Sequence, residues 1–292
     1  IDTGVLTAAE NVGWDQALLL AAAGGSFVPT LRFLQYAPES VLVGRYQAVG
    51  QEVRREFCLK NRIDINRRIT GGGAILFDTT QLGWELIASY DDIDLPSAMA
   101  KRFRAICNGC IKGLKILGLD ANFRPMNDIE INKRKISGTG GIDEGNAFLF
   151  QGTLLIDFDA HKMIKSLRIP IEKLQDKEIE SVKDRVTWLK KELGYTPPLQ
   201  KIKDAIRTGF QETLGVEFQP GQVTDREREI FEGHEAYYVS DAWVHIVKKP
   251  VSEKGTLSSV YKSKGGLIRT SLHVDTRSNI IQQAFITGDF FV

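Results

Sequence analysis

The chain has 292 residues, of which 42% are hydrophobic and 26% are charged, a composition typical of soluble globular proteins with a sizeable core. Its formal net charge of +1 provides no global attraction to DNA, RNA or an anionic membrane, so we expect no nucleic-acid partner. No apolar run approaches the roughly 20 residues of a membrane-spanning helix, and we expect no membrane partner either.

The cysteine content and the chain ends bear on location and completeness. Cys58, Cys107 and Cys110 are the only cysteines. Their low, odd number argues against a disulfide framework and suits a reducing compartment, so we predict a cytoplasmic protein. Because the chain begins at Ile1 rather than Met and ends on the apolar segment 289–292, we expect the natural chain to extend beyond both ends.

Hydrophobic periodicity and turn residues divide the first part of the chain into short helices and strands. Gly24 and Gly25 end the first helix, and Pro38 separates the first two strands. The predicted helices cover residues 11–23, 52–61 and 97–117, and the predicted strands cover residues 30–36, 40–44, 63–69, 74–77 and 83–90.

The second part of the chain contains fewer strands and ends in a β-rich segment. The polar, Pro-containing stretch 248–254 is the predicted linker between a catalytic domain, 1–247, and a small accessory domain, 255–292. The predicted elements are an extended stretch at 123–131, a basic glycine-rich segment at 133–141, a strand at 148–157, helices from 160 to about 214, a charged helix at 225–232, an aromatic strand at 242–246, and strands at 256–261, 266–275 and 280–286.

Three consecutive glycines, Gly71, Gly72 and Gly73, follow Arg67 and Arg68. Glycine loses more backbone entropy on folding than any other residue, so three in a row require a reason. One reason is close approach of the backbone to a ligand, with N–H groups and arginine charge available to an anion. A flexible hairpin turn is the alternative, since short glycine motifs often match by chance.

Polar or glycine-rich residues interrupt several other apolar strands, as expected for strand ends that converge on a pocket. In chain order, these segments are Gly44-Arg45-Tyr46-Gln47, Arg67-Arg68-x-Thr70-Gly71-Gly72-Gly73-Ala74, Asn127-Asp128-Ile129, Lys135-Ile136-Ser137-Gly138 and Gly152-Thr153-Leu154-Leu155, and a further segment, Arg185-Val186-Thr187-x-Leu189, follows downstream. Their combination and order resemble the biotin/lipoate ligase superfamily, and within it the lipoate–protein ligase and octanoyltransferase branch. The matches cover most of residues 11–215. The Gly-Arg-Gly-Arg loop typical of biotin ligases is absent from the sequence.

The resemblance implies an α/β (α+β) fold in which a mixed β-sheet forms a pocket for a long acyl chain. In such ligases the carboxylate of lipoate or octanoate attacks the α-phosphate of ATP, which gives an acyl-adenylate and pyrophosphate. A lysine of a lipoyl carrier protein then attacks the adenylate. ATP, Mg²⁺ and lipoate are therefore the expected ligands, and the carrier is the expected partner.

The resemblance also assigns roles to individual residues. Lys135 is the expected catalytic group, which bridges the acyl carbonyl and the phosphate oxygens. Arg68, with Arg67 as a second candidate, would neutralise phosphate, and Asn127 and Asp128 would lie beside the nucleotide, with Asp128 as a candidate ligand of Mg²⁺. The other expected lipoyl-adenylate-binding residues are Arg45, Gln47, Gly71, Gly72, Gly73, Ala74, Ile75, Phe77, Ser137, Gly138, Gln151, Gly152 and Thr153.

Each of these assignments has a purely structural alternative. Lys135 lies in a basic triplet with Lys133 and Arg134, and such triplets are usually solvated turns. Arg45, Gln47 and Asp128 also suit ordinary turns. The residues Ile75, Leu76, Leu149 and Leu154 would line an acyl tunnel or form plain core. Carriers of this kind are usually acidic, which makes a docking face of Lys101, Arg102, Arg104, Lys133 and Arg134 a further hypothesis.

Two positions depart from the family pattern, since relatives commonly carry histidine where this chain has Phe77 and Gln151. Histidine-mediated proton transfer is therefore not expected, and adenylation does not need it because the attacking carboxylate is ionised at neutral pH. A non-catalytic lipoyl- or adenylate-binding protein is the alternative that these two positions support.

The cysteines and the C-terminal segment distinguish the enzyme branches. Some octanoyltransferases of the superfamily form an acyl-thioester on cysteine, but no cysteine follows Cys110. Cys107 and Cys110 have C-x-x-C spacing inside a predicted amphipathic helix, which favours core residues over zinc or redox chemistry. Residues 266–290 resemble the accessory domain that adenylating ligases carry, and the family architecture implies that it rotates about a hinge near 248–255. The sequence thus favours an ATP-dependent ligase, with an ATP-independent octanoyl or lipoyl transferase as the alternative.

Overall fold

The computed structural model describes residues 1–25, 27–96, 98–168, 182–248, 256–263, 266–275, 277–278 and 280–290. The helices are α1 (Ala8–Ala23), α2 (Val49–Glu52), α3 (Arg55–Lys60), α4 (Met99–Ile116), α5 (Ala160–Ser166), α6 (Leu189–Leu193), α7 (Leu199–Leu214), α8 (Asp225–Val239) and α9 (Asp241–Val244). The strands are β1 (Asp2–Leu6), β2 (Thr30–Tyr36), β3 (Ser40–Val43), β4 (Asp64–Arg67), β5 (Ile75–Phe77), β6 (Gln81–Ser89), β7 (Asn122–Arg124), β8 (Asp128–Ile131), β9 (Arg134–Glu144), β10 (Ala147–Leu155), β11 (Thr256–Ser263), β12 (Gly266–Asp275) and β13 (Ile280–Gly288).

A seven-stranded mixed sheet with the order β1-β2-β6-β10-β9-β8-β7 forms the centre of the fold. Strands β1 and β2 are parallel, and the other neighbours are antiparallel. The mixed sheet confirms the predicted fold class. It also shows that the basic glycine-rich segment predicted at 133–141 is an eleven-residue strand, β9, which pairs on both sides.

Alternating side chains place the two faces of this sheet in different surroundings, because successive strand residues point to opposite sides. Trp84 and Leu86 of β6 face the core formed with α4 and α7. Ile87 of β6 and Leu149 of β10 face α1 on the other side. Beyond these two residues, toward the start of β6, the second face is not covered by α1 and forms the floor of a cavity.

A small three-stranded sheet with the order β4-β3-β5 lies on the cavity side. Strand β4 is parallel to β3, whereas β5 is antiparallel to it. Because β4 and β5 flank β3, the loop that connects them must cross the end of β3. This loop contains the three consecutive glycines, so the topology explains why a glycine-rich crossing follows β4.

Four predicted elements differ from the structure. The helix predicted at 52–61 divides into α2 and α3, because Val53 leaves the helix to form a β-bridge with Leu167. The stretch 123–131 is a hairpin of β7 and β8 rather than one extended segment. The charged helix α8 continues to Val239. The aromatic strand predicted at 242–246 is the short helix α9, whose first turn is capped by the Ser240 hydroxyl.

The strands β11, β12 and β13 form a separate antiparallel sheet, as predicted. This sheet contacts α2 and the turn at 44–47. Arg269 forms an ion pair of 2.7 Å with Glu52, and the Thr287 hydroxyl donates to the Gln51 side-chain oxygen over 2.9 Å. The Tyr46 and Phe290 rings stack with centroids 5.1 Å apart. The predicted linker 248–254 lies, except for Lys248, outside the described residues, and the division into two domains stays a prediction.

Within the described ranges, no helix has the length and apolar character needed to cross a membrane.

Candidate active site

A cavity of about 280 Å³ lies between the uncovered face of the large sheet and the loop that joins β4 to β5. Its walls come from elements far apart in the sequence, which is typical of ligand-binding pockets. Most of the sequence-predicted site residues line it, namely Arg68, Gly71, Gly72, Gly73, Ala74, Ile75, Phe77, Asn127, Lys135, Gly138, Gln151, Gly152 and Thr153.

The glycine loop packs directly on the end of β3. A Cβ atom placed on Gly44 would lie 2.0 Å from the carbonyl oxygen of Gly72, so no side chain fits at position 44. Gly72 has a φ of 94°, a conformation that residues with a Cβ atom rarely adopt. The first two motifs therefore form one unit in which each glycine makes room for the other segment.

Arg68 braces this loop from inside the protein. Its guanidinium donates hydrogen bonds to the carbonyl oxygens of Leu42, Gly71 and Gly73, at 3.1, 2.9 and 2.7 Å. Burial lowers the pKa of Arg68 to about 10, which leaves the side chain charged at neutral pH. Arg68 therefore fixes the loop and also contributes positive charge to the wall of the cavity.

Arg67, the second candidate for phosphate binding, points away from the cavity. It is fully buried, and its guanidinium donates to five carbonyl oxygens. These belong to Gly44, Arg45, Gln47, Trp243 and Val244. Arg67 thus connects the 44–47 turn to α9 and has a structural role rather than the role we considered from the sequence.

Arg45 and Gln47 lie beside the glycine loop without lining the cavity. The Gln47 side-chain oxygen accepts a hydrogen bond of 2.9 Å from the backbone N–H of Gly44. The Arg45 guanidinium lies 5.2 Å from the centre of the Trp243 ring, a distance that permits a cation–π interaction. Both residues can influence the cavity only through the turn that supports the glycine loop.

Lys135 reaches the cavity by passing over Gly138 on the same strand. A Cβ atom on Gly138 would lie 2.5 Å from the Lys135 ammonium nitrogen, so a side chain at position 138 would displace the end of the lysine from this position. The ammonium forms an ion pair of 2.7 Å with Asp128. The backbone carbonyl of Lys135 accepts a hydrogen bond from the N–H of Thr187. The Arg185-Val186-Thr187 segment therefore fixes the backbone of Lys135 on the edge of β9 that faces away from β8.

Asp128 is held between two cations rather than facing open space. Its second oxygen accepts a hydrogen bond of 2.5 Å from Arg124. Burial alone would raise the pKa of Asp128, but Lys135 and Arg124 outweigh burial and hold it below its usual value. Ionised Asp128 therefore positions the Lys135 ammonium at the edge of the cavity.

This geometry does not suit Asp128 as a magnesium ligand, because both of its oxygens already contact cations. In the part of the chain that the structure describes, no group of three or more His, Cys, Asp or Glu side chains forms a metal site. Mg²⁺ commonly binds through substrate phosphates and water with few protein ligands. We therefore assign no chemical step to a metal ion held by the protein.

Asn127 and Ser137 complete the region around Lys135. The Asn127 amide donates to the backbone carbonyl of Thr139, and the Thr139 hydroxyl donates back to the carbonyl of Asn127. These bonds fix the Asn127 side chain at the cavity wall. Ser137 is fully buried and does not line the cavity, so any effect on a ligand would be indirect.

Phe77 and Gln151, the two positions that the sequence analysis singled out as departing from the family pattern, both line the cavity. Phe77 is only 3% exposed, and its ring centroid lies 4.5 Å from that of Tyr36. The Gln151 amide nitrogen donates to the Thr70 hydroxyl over 3.1 Å. Neither position provides a group that titrates near neutral pH.

The sequence prediction missed the cavity walls contributed by β2, β6 and α5. Leu149 and Leu154, two of the suggested tunnel residues, belong instead to the cores on the two faces of the sheet. Glu85 provided an available signal, because it is a single charged residue within an apolar strand. The missed lining residues include Leu34, Tyr36, Gln81, Gly83, Trp84, Glu85, Phe158 and Met163.

No cysteine lines the cavity, and the structure describes all three of them. Cys58 is buried in α3, and burial raises the pKa of its thiol. Cys107 and Cys110 are buried in α4 on the opposite side of the large sheet. Burial raises the pKa of Cys107 to about 12 and also raises that of Cys110. Nucleophilic thiols usually have lowered pKa values, so these cysteines are suited to packing.

We expect the native protein to resist thiol modification. With pKa values raised by burial, the thiolate population at pH 8 is very small, so iodoacetamide should label the folded chain at least about a hundredfold more slowly than the unfolded chain. Mass spectrometry of peptides after timed labelling measures this ratio. The variant Cys107→Ser/Cys110→Ser should retain turnover per folded molecule, whereas a loss of turnover at unchanged folded fraction would implicate a thioester.

Comparison with known proteins agrees with this geometry. The lipoyl protein ligase A/B catalytic domain model matches residues 7–211. The chain is 30% identical over 256 residues to lipoate-protein ligase A subunit 1 of Thermoplasma acidophilum, and the alignment covers 82% of this chain and 94% of that protein. It is also 27% identical over 265 residues to the octanoyltransferase LipM of Kyrpidia tusciae, and this alignment covers 83% of this chain and 96% of that protein.

A solved structure extends the comparison. The fold is similar to the crystal structure of a lipoate-protein ligase A bound with ATP, with a TM-score of 0.73, 26% identity and coverage of 84% of this chain and 96% of that chain. The family model spans more than half of the chain, and the cavity of this chain contains the predicted glycine loop and lysine. The chain is therefore an enzyme of the lipoate ligase and octanoyltransferase family that the lipoyl protein ligase A/B catalytic domain defines.

Proposed function

We propose that the protein is an ATP-dependent lipoate–protein ligase. It activates lipoate or octanoate as an acyl-adenylate and transfers the acyl group to a lysine of a lipoyl carrier protein. The observation that carries this proposal is the meeting of Lys135 and the glycine loop in a cavity that no cysteine lines. ATP and the acid are substrates in this reaction.

The site contains the charge that such a transfer needs. In the first step, negative charge moves from the acyl carboxylate to the α-phosphate oxygens and the leaving pyrophosphate. In the second step, it develops on the acyl carbonyl oxygen and on the phosphate oxygen that leaves with AMP. A preorganised cation stabilises such charge more strongly in a partly buried site than in water. Lys135 is held at the cavity edge by Asp128 at 2.7 Å, and its ammonium is the group we assign to those oxygens.

The glycine loop contributes space and a fixed backbone. Without side chains at positions 71–73, an acyl or phosphate group can approach the chain closely. Arg68 holds the carbonyl groups of Gly71 and Gly73 toward itself, which restricts the orientation of the peptide units in the loop. We assign the loop to binding the charged end of the acyl-adenylate.

The cysteines support the ligase over a thioester transferase. A thioester route needs a thiol within reach of the acyl carbon, and none lines the cavity. The similarity to an octanoyltransferase LipM makes an ATP-independent transferase the second candidate. A non-catalytic lipoyl-binding protein is the third.

One experiment separates these functions. The purified protein is incubated with an apo lipoyl domain and either ATP, Mg²⁺ and lipoate, or an octanoyl thioester of an acyl carrier protein. Intact mass spectrometry of the lipoyl domain detects acylation of its lysine. We expect the lipoyl domain to be modified in the mixture of ATP, Mg²⁺ and lipoate and not in the mixture with the octanoyl thioester. Modification only from the thioester would establish the transferase, and binding of lipoate without modification from either donor would establish the non-catalytic alternative.

A further inference from the structure

The register of three strands places a row of polar side chains across the cavity floor. Arg32 of β2 is directly opposite Glu85 of β6, and Glu85 is directly opposite Gln151 of β10. Residues directly opposite each other on antiparallel strands point to the same face of the sheet. The floor beneath an acyl chain is therefore polar at this level, although an apolar surface is the usual environment of such a chain.

Buried charges fix the first part of this row. Arg32 is fully buried and forms ion pairs of 2.7 Å with Asp15 and 2.9 Å with Glu85. Its other nitrogen donates to the Asn11 side chain over 2.7 Å. Burial and, after it, the neighbouring carboxyl group of Glu85 raise the pKa of Asp15, whereas Arg32 lowers it. Only Glu85 of these charged residues lines the cavity.

Gln151 adds a second hydrogen-bond acceptor to the floor. Its amide nitrogen is fixed by the Thr70 hydroxyl, which orients the side-chain oxygen away from Thr70. That oxygen is buried and has no hydrogen-bond partner among the described residues. A buried acceptor without a donor is energetically unfavourable. Two neighbouring acceptors on a cavity wall therefore favour a ligand that carries donors.

The location of the row corresponds to the distal part of a bound chain. Lys135 lies over Gly138, which is opposite Thr153 of β10. Glu85 is on the next strand beyond β10, two residues along from Gly83, which is opposite Thr153. Two strand spacings of about 4.8 Å and a rise of about 6.8 Å along the strand place Glu85 roughly 12 Å from the Gly138 backbone. This distance is comparable with the length of an eight-carbon acid whose carboxyl group lies at Lys135.

We propose that Glu85 and Gln151 form an acceptor site for donors on the distal part of the acyl chain, so that the cavity prefers the reduced dithiol form of lipoate to the disulfide form and to octanoate. The choice of acid rests on the proposed function. Comparing the dithiol, the disulfide and octanoate separates the contribution of the S–H donors from that of the sulfur atoms. The disulfide has the sulfur atoms without the S–H donors, and octanoate has neither. Thiols are weak donors, so we expect a preference of about fivefold rather than a larger one.

Binding without ATP tests this site directly. Isothermal titration calorimetry under anaerobic reducing or non-reducing conditions gives the Kd of each acid for the wild type and for Gln151→Met, which removes the acceptor at similar volume. The wild type should bind the dithiol about fivefold more tightly than either other acid. In Gln151→Met the three Kd values should lie within about twofold of one another.

A second variant shows whether a loss of preference in Gln151→Met comes from the missing acceptor or from a local rearrangement around residue 151. Glu85→Gln retains an oxygen for Arg32 but places a donor group beside Gln151, so it should also reduce the dithiol preference. Equal binding of the three acids to the wild type, or an unchanged preference in Gln151→Met at an unchanged thermal midpoint, would overturn the proposal. Failure of the proposed function is distinguishable, because a protein that shows the preference but forms no adenylate would retain this site without being a ligase.

Discussion

Replacing Lys135 by alanine is expected to reduce carrier acylation by at least about a hundred- to a thousandfold, the range measured when one preorganised group that stabilises developing negative charge is removed from an active site. The fold should be unaffected. The ion pair with Asp128 is partly exposed, since the Lys135 side chain is 37% accessible, and such pairs contribute at most about 1 kcal/mol. Asp128 also retains Arg124 as a partner. Single-turnover acylation followed by intact mass spectrometry measures the rate.

A matched control uses a lysine of the same protein outside the cavity. Lys115 is exposed in the last turn of α4, on the opposite side of the large sheet. Lys115→Ala should acylate the carrier at the wild-type rate within about twofold. Turnover of Lys135→Ala within tenfold of the wild type would refute the role assigned to this lysine.

Replacing Arg67 by alanine is expected to lower the free energy of unfolding by roughly 3–5 kcal/mol. Hydrogen bonds from charged donors each contribute about 1.5–3 kcal/mol, although not additively. Arg67 makes five of them, to the 44–47 turn and to α9. Its removal leaves buried carbonyl groups without donors on both segments. Urea denaturation followed by circular dichroism and tryptophan fluorescence measures the change, with coincident transitions required for the analysis.

Arg45, which lies in the turn that Arg67 binds, provides the control. Arg45 is half-buried and contacts the face of the Trp243 ring at 5.2 Å, an interaction that contributes about 0.5–1 kcal/mol. Arg45→Ala should therefore unfold close to the wild-type denaturant midpoint. If the free energy of unfolding of Arg67→Ala were also within about 1 kcal/mol of the wild-type value, other donors would have replaced Arg67 at the carbonyl groups. The structural role that we assign to Arg67 would then be refuted.

The contrast between Arg67 and Arg68 shows what the sequence could and could not predict. Close packing of backbone leaves a sequence signal, because only glycine fits at Gly44 beneath the Gly72 carbonyl. The motifs therefore identified the segments that form the cavity. Arg67 is the last residue of β4, and Arg68 follows it in an extended chain that still pairs with β3 through its N–H. Successive residues of such a chain point to opposite sides, so one of the two arginines had to face away. Which one faces the cavity depends on how β4 packs, and that is a tertiary property.

The polar floor of the cavity was not predictable for a related reason. Glu85 and Gln151 become neighbours only through the pairing of β6 with β10, and Arg32 joins them through the pairing of β2 with β6. Strand register depends on long-range contacts that one sequence does not reveal. Similarly, a hydroxyl cap at Ser240 turned an apparent aromatic strand into helix α9, because a local hydrogen bond outweighed β-propensity.

The exchange of labelled pyrophosphate into ATP is the sharpest test of acyl-adenylate formation, because it reports the reversal of that step and needs no carrier protein. We expect exchange that requires lipoate or octanoate, is absent in Lys135→Ala, and persists in Cys107→Ser/Cys110→Ser. A wild-type protein that acylates the lipoyl domain from an acyl-carrier-protein thioester but shows no acid-dependent exchange would not be an ATP-dependent ligase.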